Sequence, residues 1–542
     1  MASYPDFFND VFGPVMQPGS SSHTAAPCRL GRLASDLLGE KVARVRVLFD
    51  RKGSFAGTFG VMAEDRAMVA GVLGLAPDDR RLFEAFELAA AAGVRYSFEF
   101  TSLTESYHPN AMKFELTATG GRTVTLVGIS TGGGMVETVT VDEFPLKSIG
   151  DDFVLLLFDP RRAASPEGLE RFAARLPDLV STSTVTAPDR GALHVFTLAS
   201  EPDLAAAQGI AKLLPGAHLA LLRPVVAVLT RPDRKPQLFD TMTRWREVAA
   251  GRGVSLWETA VQYEIDASGW TAERVLDRMA ELARLMHRQT HAAYDEGLSA
   301  PPSPFKPDFP AAWTRHAASG RSVSEGIVSE TIRLAYGAGA GIPGVETVPG
   351  PMGGGGGYVY AALSAVRDAR GLSEADLLHG LFVAAGVGVV AFSRTEPTGE
   401  RIGCVGESGV CGAMAAAGIV AMVGGTPEQT ENAASLSLQA FTGLPCDPIP
   451  GGLCQPCRSR IMAATCTAHV FADLALAGHD AVLPLHEAID AADAVGRGLP
   501  PELLCTSRGG ACATPTAARR REEYAAWLAA TPPAQWPPGN LV

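Results

Sequence analysis

Residues 446–457 read CDPIPGGLCQPC: three cysteines, two glycines and three prolines in twelve positions. Proline fixes φ and removes a backbone donor, and glycine loosens the chain, so neither a helix nor a strand suits this stretch. It is expected to be an irregular loop that holds thiols. Nine cysteines occur in 542 residues, and eight of them follow residue 400. A disulfide framework suits a small secreted domain rather than the last quarter of a large chain, so reduced thiols are the expectation.

Four uses compete for such thiols. Zinc calls for two short-spaced knuckles, and Cys454-x-x-Cys457 supplies one with no second following it. Thioredoxin-like chemistry calls for a C-x-x-C that opens a helix after a strand, which the proline-glycine context argues against. Burial as small apolar residues suits Cys28 and Cys466. An iron–sulfur cluster draws its ligands from separated loops, and Cys404, Cys446 and Cys457 all lie in glycine- or proline-rich turns. Spacing alone leaves these uses open.

Around the loop, composition narrows the field. Lys and Arg number 46 against 58 Asp and Glu, a net charge of −12, which argues against nucleic acid or an anionic membrane as a partner. The opening MASYPDFFNDVFGPV has no basic segment leading into an apolar one, so no signal peptide is expected and the cytoplasm is the expected location. The longest apolar run, LFVAAGVGVVAF at 381–392, is too short for a bilayer and reads as a buried helix.

Hydrophobic periodicity divides the chain. Residues 1–147 mix strand signals (RVRVLFD, RYSFEF, KFELTAT) with an amphipathic helix over 79–93 and a glycine turn at GISTGGGMVETVTV, an α/β domain. Residues 151–226 alternate in the order βαββαβ, the ferredoxin-like plan, which resembles the ACT fold. Residues 227–310 read as a helical segment that ends in the proline-rich linker PPSPFKPDFP. Residues 311–530, rich in Ala, Leu and Gly at helical spacing, read as a mostly helical domain.

Several segments together resemble the iron–sulfur L-serine dehydratases. GCVGESGVCGAMAAAGIVAMVGGTPEQ (403–429), the opening loop and CTSRGGACATPTAARR (505–520) are similar to the α part of that family. FGPVMQPGSSSHTAAPCRLGRLA (12–34), KGSFAGTF (52–59), YHPNAMKFEL (107–116) and TGGGMVE (131–137) are similar to its β part. The resemblance implies a β-part fold like the regulatory substrate-binding domain of some phosphoglycerate dehydrogenases, an ACT-like module and a helical α part that holds a [4Fe–4S] cluster. Carried over position by position, the ligands are Cys404, Cys446 and Cys457, with the fourth iron open. Thiolates suit iron–sulfur centres, and an open iron is a Lewis acid for a leaving hydroxide. The implied reaction is α,β-elimination from a β-substituted amino acid or hydroxy acid, by default L-serine to pyruvate and ammonia, without pyridoxal phosphate. A homodimer is the expected assembly.

Ser20, Ser21, Ser22, His23 and Thr24 match the family's SSSHT, so His23 and Ser22 become catalytic candidates, and Ser20, Ser21 and Thr24 substrate-binding ones. Elsewhere the chain departs. Where the family has a proton-handling histidine, Met62 stands here, with Asp65 the remaining polar match, and a methionine takes up no proton. His23 or Glu64 is then the expected substitute base. The family's N-A-S-I-S-G becomes Arg394–Gly399, which contains Thr398, and its T-P-T-x-G becomes Gly350–Gly354, which contains Gly353 and Gly354. These changes imply a reshaped pocket in which the glycines make room and Arg394 meets an anionic group. Cysteine desulfidation, a larger anionic substrate, and a non-catalytic amino-acid or redox sensor are the rival functions.

Overall fold

The computed structural model describes residues 4–531 except 61, 188, 212–215, 302 and 450–454, so Cys454 lies outside the described residues. Among the described residues, ten strands form two sheets. The first contains β1 (Val42–Asp50), β2 (Arg95–Thr101), β3 (Ala111–Ala118), β4 (Thr123–Gly132), β5 (Met135–Val141) and β6 (Phe144–Pro145), in the order β2-β1-β3-β4-β5-β6. Only β1 and β2 run parallel, and helices Phe55–Thr58, Glu64–Val72 and Ala85–Ala92 lie between them in the chain. The helix read over 79–93 begins as a 3-10 turn, Arg80–Glu84, and becomes α-helical only at Ala85. Helices Ala26–Leu38 and Glu64–Val72 cross at glycines. A Cβ on Gly71 would meet the Cys28 carbonyl oxygen at 2.0 Å, and one on Gly31 the Met68 oxygen at 2.7 Å.

The second sheet holds β7 (Phe153–Asp159), β8 (Leu179–Ala187), β9 (Gly191–Leu198) and β10 (His218–Leu222) in the order β10-β7-β9-β8, antiparallel throughout. With helices Pro166–Ala173 and Leu204–Ala211 in the connections, this is the split βαββαβ arrangement. Strand alternation sorts its faces. Leu155 and Leu157 pack with Phe172, Phe196 and Ala207, whereas Val154, Leu156 and Phe158 join the apolar core of the first sheet.

The rest is mostly helical. Its centre is the pair Glu374–Phe392 and Ser408–Met422, where small residues permit close approach: a Cβ on Gly380 would lie 3.1 Å from the Gly418 oxygen, and one on Gly418 2.9 Å from the Gly380 oxygen. Glu374–Phe392 and Cys404–Met422 are long and apolar enough to cross a membrane, and both are mostly buried in the protein core. Helices Met242–Arg252, Leu256–Ser268 and Ala272–Asp295 contribute to the same core as the helices beyond residue 310. The proline-rich run at 301–310 therefore joins helices of one core.

The N-terminal segment also belongs to that core. Phe7, Phe8, Val11 and Phe12 pack among the helices, Phe7 stacks on Tyr263 at 5.5 Å, and its N–H donates to Glu264 Oε2 at 2.8 Å. The chain then passes through a π-helical turn, Ser21–Ala25, into helix Ala26–Leu38 of the α/β core. The SSSHT turn is thus held at the seam between the two cores.

Candidate functional site

Local hydrogen bonding builds the His23 turn. Ser20 caps it by accepting the His23 N–H, and Thr24 Oγ1 accepts the Ser20 N–H while donating to the Met62 carbonyl at 2.6 Å. Ser21 Oγ donates to the Pro351 carbonyl, and Ser22 is buried on the same turn. The hydroxyls of Ser20, Ser21 and Thr24 thus shape the turn.

The glycine run expected to make room is filled by backbone. A Cβ on Gly353 would meet the Gly19 oxygen at 2.4 Å and the Ser21 nitrogen at 2.7 Å. Gly354 takes the left-handed conformation (φ 77°) that starts helix Gly355–Arg370. These glycines allow the SSSHT turn to sit directly on the helical core.

His23 is fully buried, and of its two ring nitrogens only Nε2 is hydrogen-bonded among the described residues. Nε2 lies 3.2 Å from Ser54 Oγ, which also bonds the side chain of Asn110, and Nδ1 lies 3.4 Å from Glu400 Oε1. Burial lowers the His23 pKa, and the Glu400 charge partly offsets this. Ser54, Asn110 and Glu400 are buried as well. Glu400 stands on the short helix Gly399–Ile402, whose N-cap residue is Thr398. Glu400 Oε2, Thr398 Oγ1 and His23 Nδ1 are buried and have no hydrogen-bond partner among the described residues.

Other expected residues point elsewhere. The Arg394 guanidinium pairs with both oxygens of Asp490, so it does not present a free charge to a pocket. Asp65 accepts the Arg66 N–H and acts electrostatically on Tyr96. Glu64 accepts the Met62 N–H at 2.9 Å, and burial raises its pKa well above the usual range.

The thiols gather on the same side. Backbone bonds lock three segments together: Cys404 N–H to the Leu444 carbonyl, Cys446 N–H to Leu503 and Cys505 N–H to Cys446. Cys457 is the first residue of helix Cys457–Leu476, so the second cysteine of the C-x-x-C does open a helix, though no strand leads into it among the described residues. The helix N-terminus favours a thiolate at that position. Arg460, bonded to Asp447 and to the Pro445 carbonyl, acts electrostatically on Cys404 and Cys457. A Cβ on Gly399 would fall 2.5 Å from Cys446 Sγ, so only glycine fits there.

Cys505, which carried no assigned role in the sequence, is a member of this group. Its Sγ, His23 and Glu400 offer donor atoms within 4.8 Å of one another, and all three residues are buried. The neighbouring Cys505 thiol and burial push Cys446 far above the ordinary thiol range. Burial and the charge of Glu407 push Cys404 up to about 11. For Cys505 the bond from Cys446 is the largest influence and lowers the pKa, but burial with the charges of Glu400 and Glu407 together outweighs it and pushes the thiol up to about 12. Thiols in such surroundings become thiolates only with a cation among them, and soft donors select iron–sulfur or a thiophilic metal. The donor set, its burial and the glycine beside Cys446 fit a cysteine-held cluster.

Glu400, Ser54, Asn110 and Cys505 were missed as site residues. Ser54 and Asn110 lie within KGSFAGTF and YHPNAMKFEL, but neither spacing nor periodicity links residues 23, 54, 110 and 400.

The serine dehydratase alpha chain family model matches residues 251–511. The L-serine dehydratase beta chain of Peptoniphilus asaccharolyticus is 37% identical over 162 residues, 30% of this chain and 71% of that one. The alpha chain from the same organism is 28% identical over 281 residues, 51% of this chain and 95% of that one. A probable L-serine dehydratase beta chain of Bacillus subtilis is 32% identical over 189 residues, 35% of this chain and 84% of that one.

Proposed function

We propose, from the premise that this chain belongs to the L-serine dehydratase family, that it is a lyase converting L-serine to pyruvate and ammonia with α and β parts in one polypeptide. The observation that carries this reading is the convergence of buried thiols with a buried histidine–carboxylate pair at the seam between the two cores. Cys404, Cys446 and Cys457 would hold a [4Fe–4S] cluster, with no pyridoxal phosphate. When bound, such a cluster supplies a Lewis-acidic iron that helps hydroxide leave.

The chain's own residues supply the remaining functions. Thr398 Oγ1, buried and without a partner among the described residues, is a donor for a substrate carboxylate or hydroxyl. The His23–Ser54–Asn110 chain fixes the imidazole on one side, so that its Nδ1 edge is held against Glu400. The buried surroundings exclude water and strengthen each of these contacts. The β7–β10 sheet with its two helices is an ACT-like module. Because Asp490 occupies Arg394, serine suits the site better than a larger anionic substrate.

The test is a substrate panel on anaerobically reconstituted protein: serine, cysteine, 3-hydroxyaspartate and O-phosphoserine. Pyruvate from serine at the highest kcat/KM is expected. Sulfide release from cysteine as the dominant activity, or turnover of none of the four, would overturn the assignment.

A further inference from the structure

Buried polar atoms without a partner are rare in folded proteins, and several of them gathered in one place point to a ligand. Five such atoms belong to residues at the seam: His23 Nδ1, Asn110 Nδ2, Ser130 Oγ, Thr398 Oγ1 and Glu400 Oε2, none with a hydrogen-bond partner among the described residues. These residues form a continuous ring. His23 Nε2 lies 3.2 Å from Ser54 Oγ, which bonds Asn110 Oδ1. The Asn110 carbonyl accepts the Ser130 N–H at 3.3 Å, one step beyond the ladder of β3 and β4. Two residues later, a Cβ on Gly132 would strike the Thr398 methyl group, so β4 lies directly on the cap of the short helix that carries Glu400. Glu400 Oε1 lies 3.4 Å from His23 Nδ1, back at the start.

Three of the five atoms are neutral hydrogen-bond donors. Ser54 engages Asn110 at Oδ1, which leaves the Nδ2 hydrogens free. Ser130 follows Val124, Leu126 and Gly128 on the face of β4 that packs under helix Ala26–Leu38, where the SSSHT turn enters that helix. Asn110 and Ser130 are 0% exposed and Thr398 is 1% exposed. One N–H2 group and two hydroxyls, shut off from water, suit the oxygens of a carboxylate. That group accepts several hydrogen bonds at once, and its charge makes each about twice as strong as a neutral one. An ammonium group is a poor occupant, because the Asn110 N–H2 offers it no lone pair.

We infer that Asn110, Ser130 and Thr398 form the subsite that holds the α-carboxylate of the substrate, two donors from the α/β part of the chain and one from the helical part. The inference rests on the dehydratase reading above and adds where the amino acid is gripped. The subsite has an energetic signature. A hydroxyl that bonds nothing in the empty protein is desolvated without compensation, so its removal weakens binding and leaves the fold as stable as before or more so.

The experiment uses anaerobically loaded wild type, Ser130→Ala, Thr398→Val and Asn110→Asp, with serine for turnover. L-Alanine, which has no leaving group, is the calorimetric probe of binding. Iron content should match wild type in every variant. KM for serine and Kd for L-alanine should rise about 10–100-fold, with a smaller change in kcat. The rise should be largest in Asn110→Asp, which keeps an acceptor for Ser54 but sets a carboxylate against that of the ligand. The Tm of ligand-free Ser130→Ala and Thr398→Val should equal or exceed that of wild type. L-Alaninamide, which has no carboxylate, should bind wild type weakly and bind both hydroxyl variants with the same affinity as wild type. Unchanged KM and Kd, a lowered Tm in both hydroxyl variants, or equal losses for L-alanine and L-alaninamide would overturn the subsite and leave the dehydratase intact. Wild type that binds L-alanine with this dependence but forms no pyruvate from serine would overturn the dehydratase and leave the subsite standing.

Discussion

The two sides of the site are built differently. The thiol side comes from residues 404–505, with Cys404, Cys446, Cys457 and Cys505 on segments joined by backbone hydrogen bonds. The polar side is assembled from His23, Ser54, Asn110 and Glu400, which span almost four hundred residues. Soft-metal chemistry fixes the residue type on the first side, because only thiolates serve. On the second side a carboxylate, an imidazole or a relay of both can move a proton, so the residue type is free to change provided the geometry survives.

The largest expected effect tests the thiol side. Cys404→Ser, Cys446→Ser and Cys457→Ser should each lose the visible charge-transfer band and most of the iron. Cys454→Ser should keep both, as followed by absorbance and iron analysis. Loss of iron in Cys454→Ser with retention in Cys457→Ser would reassign the third ligand.

Next comes the seam that brings the two sides together. In Gly353→Ala the new methyl would meet backbone atoms of Gly19 and Ser21 at 2.4 and 2.7 Å, which cannot move aside as a flexible side chain would. A loss of about 1–3 kcal/mol in unfolding free energy is expected from denaturant titration, with a fall in activity as the His23 turn shifts. An unchanged midpoint would mean that the turn is less tightly seated than its hydrogen bonds indicate.

A smaller effect is expected within the polar chain. Ser54→Ala removes the partner of His23 Nε2 and of the Asn110 side chain, at a cost of about 1–3 kcal/mol for the groups left unsatisfied. Iron content should stay at the wild-type level while kcat falls. Equal loss of iron and activity would show that the two sides are not separable. The smallest effect is expected for Arg394→Ala. Its pair with Asp490 is half in solvent and is worth about 0–1 kcal/mol, and serine turnover should not change.

The same contrast explains what could be read from the sequence. The strands of both sheets follow from period-2 alternation, and the βαββαβ order follows from short strands separated by helical runs. The thiols were visible because cysteines in glycine- and proline-rich turns have few uses. The entry of residues 7–12 into the helical core was not visible, since FFNDVF carries no sign of which core will take it. The glycine run at 353–357 suggested open space because missing side chains look like room in one dimension. In the fold, backbone from the SSSHT turn occupies that space. Arg394 looked like a free cation because Asp490 lies 96 residues away. Glu400 drew no attention for the same reason: its importance comes from His23, at the other end of the chain.

The central claim is that both sides act on one serine molecule. The most direct measurement is pyruvate formation from serine across a series of anaerobic samples loaded to increasing iron content. The rate should rise with iron and level off near about four irons per chain. Pyruvate formation by iron-free protein, or fully loaded protein that forms none, would contradict it.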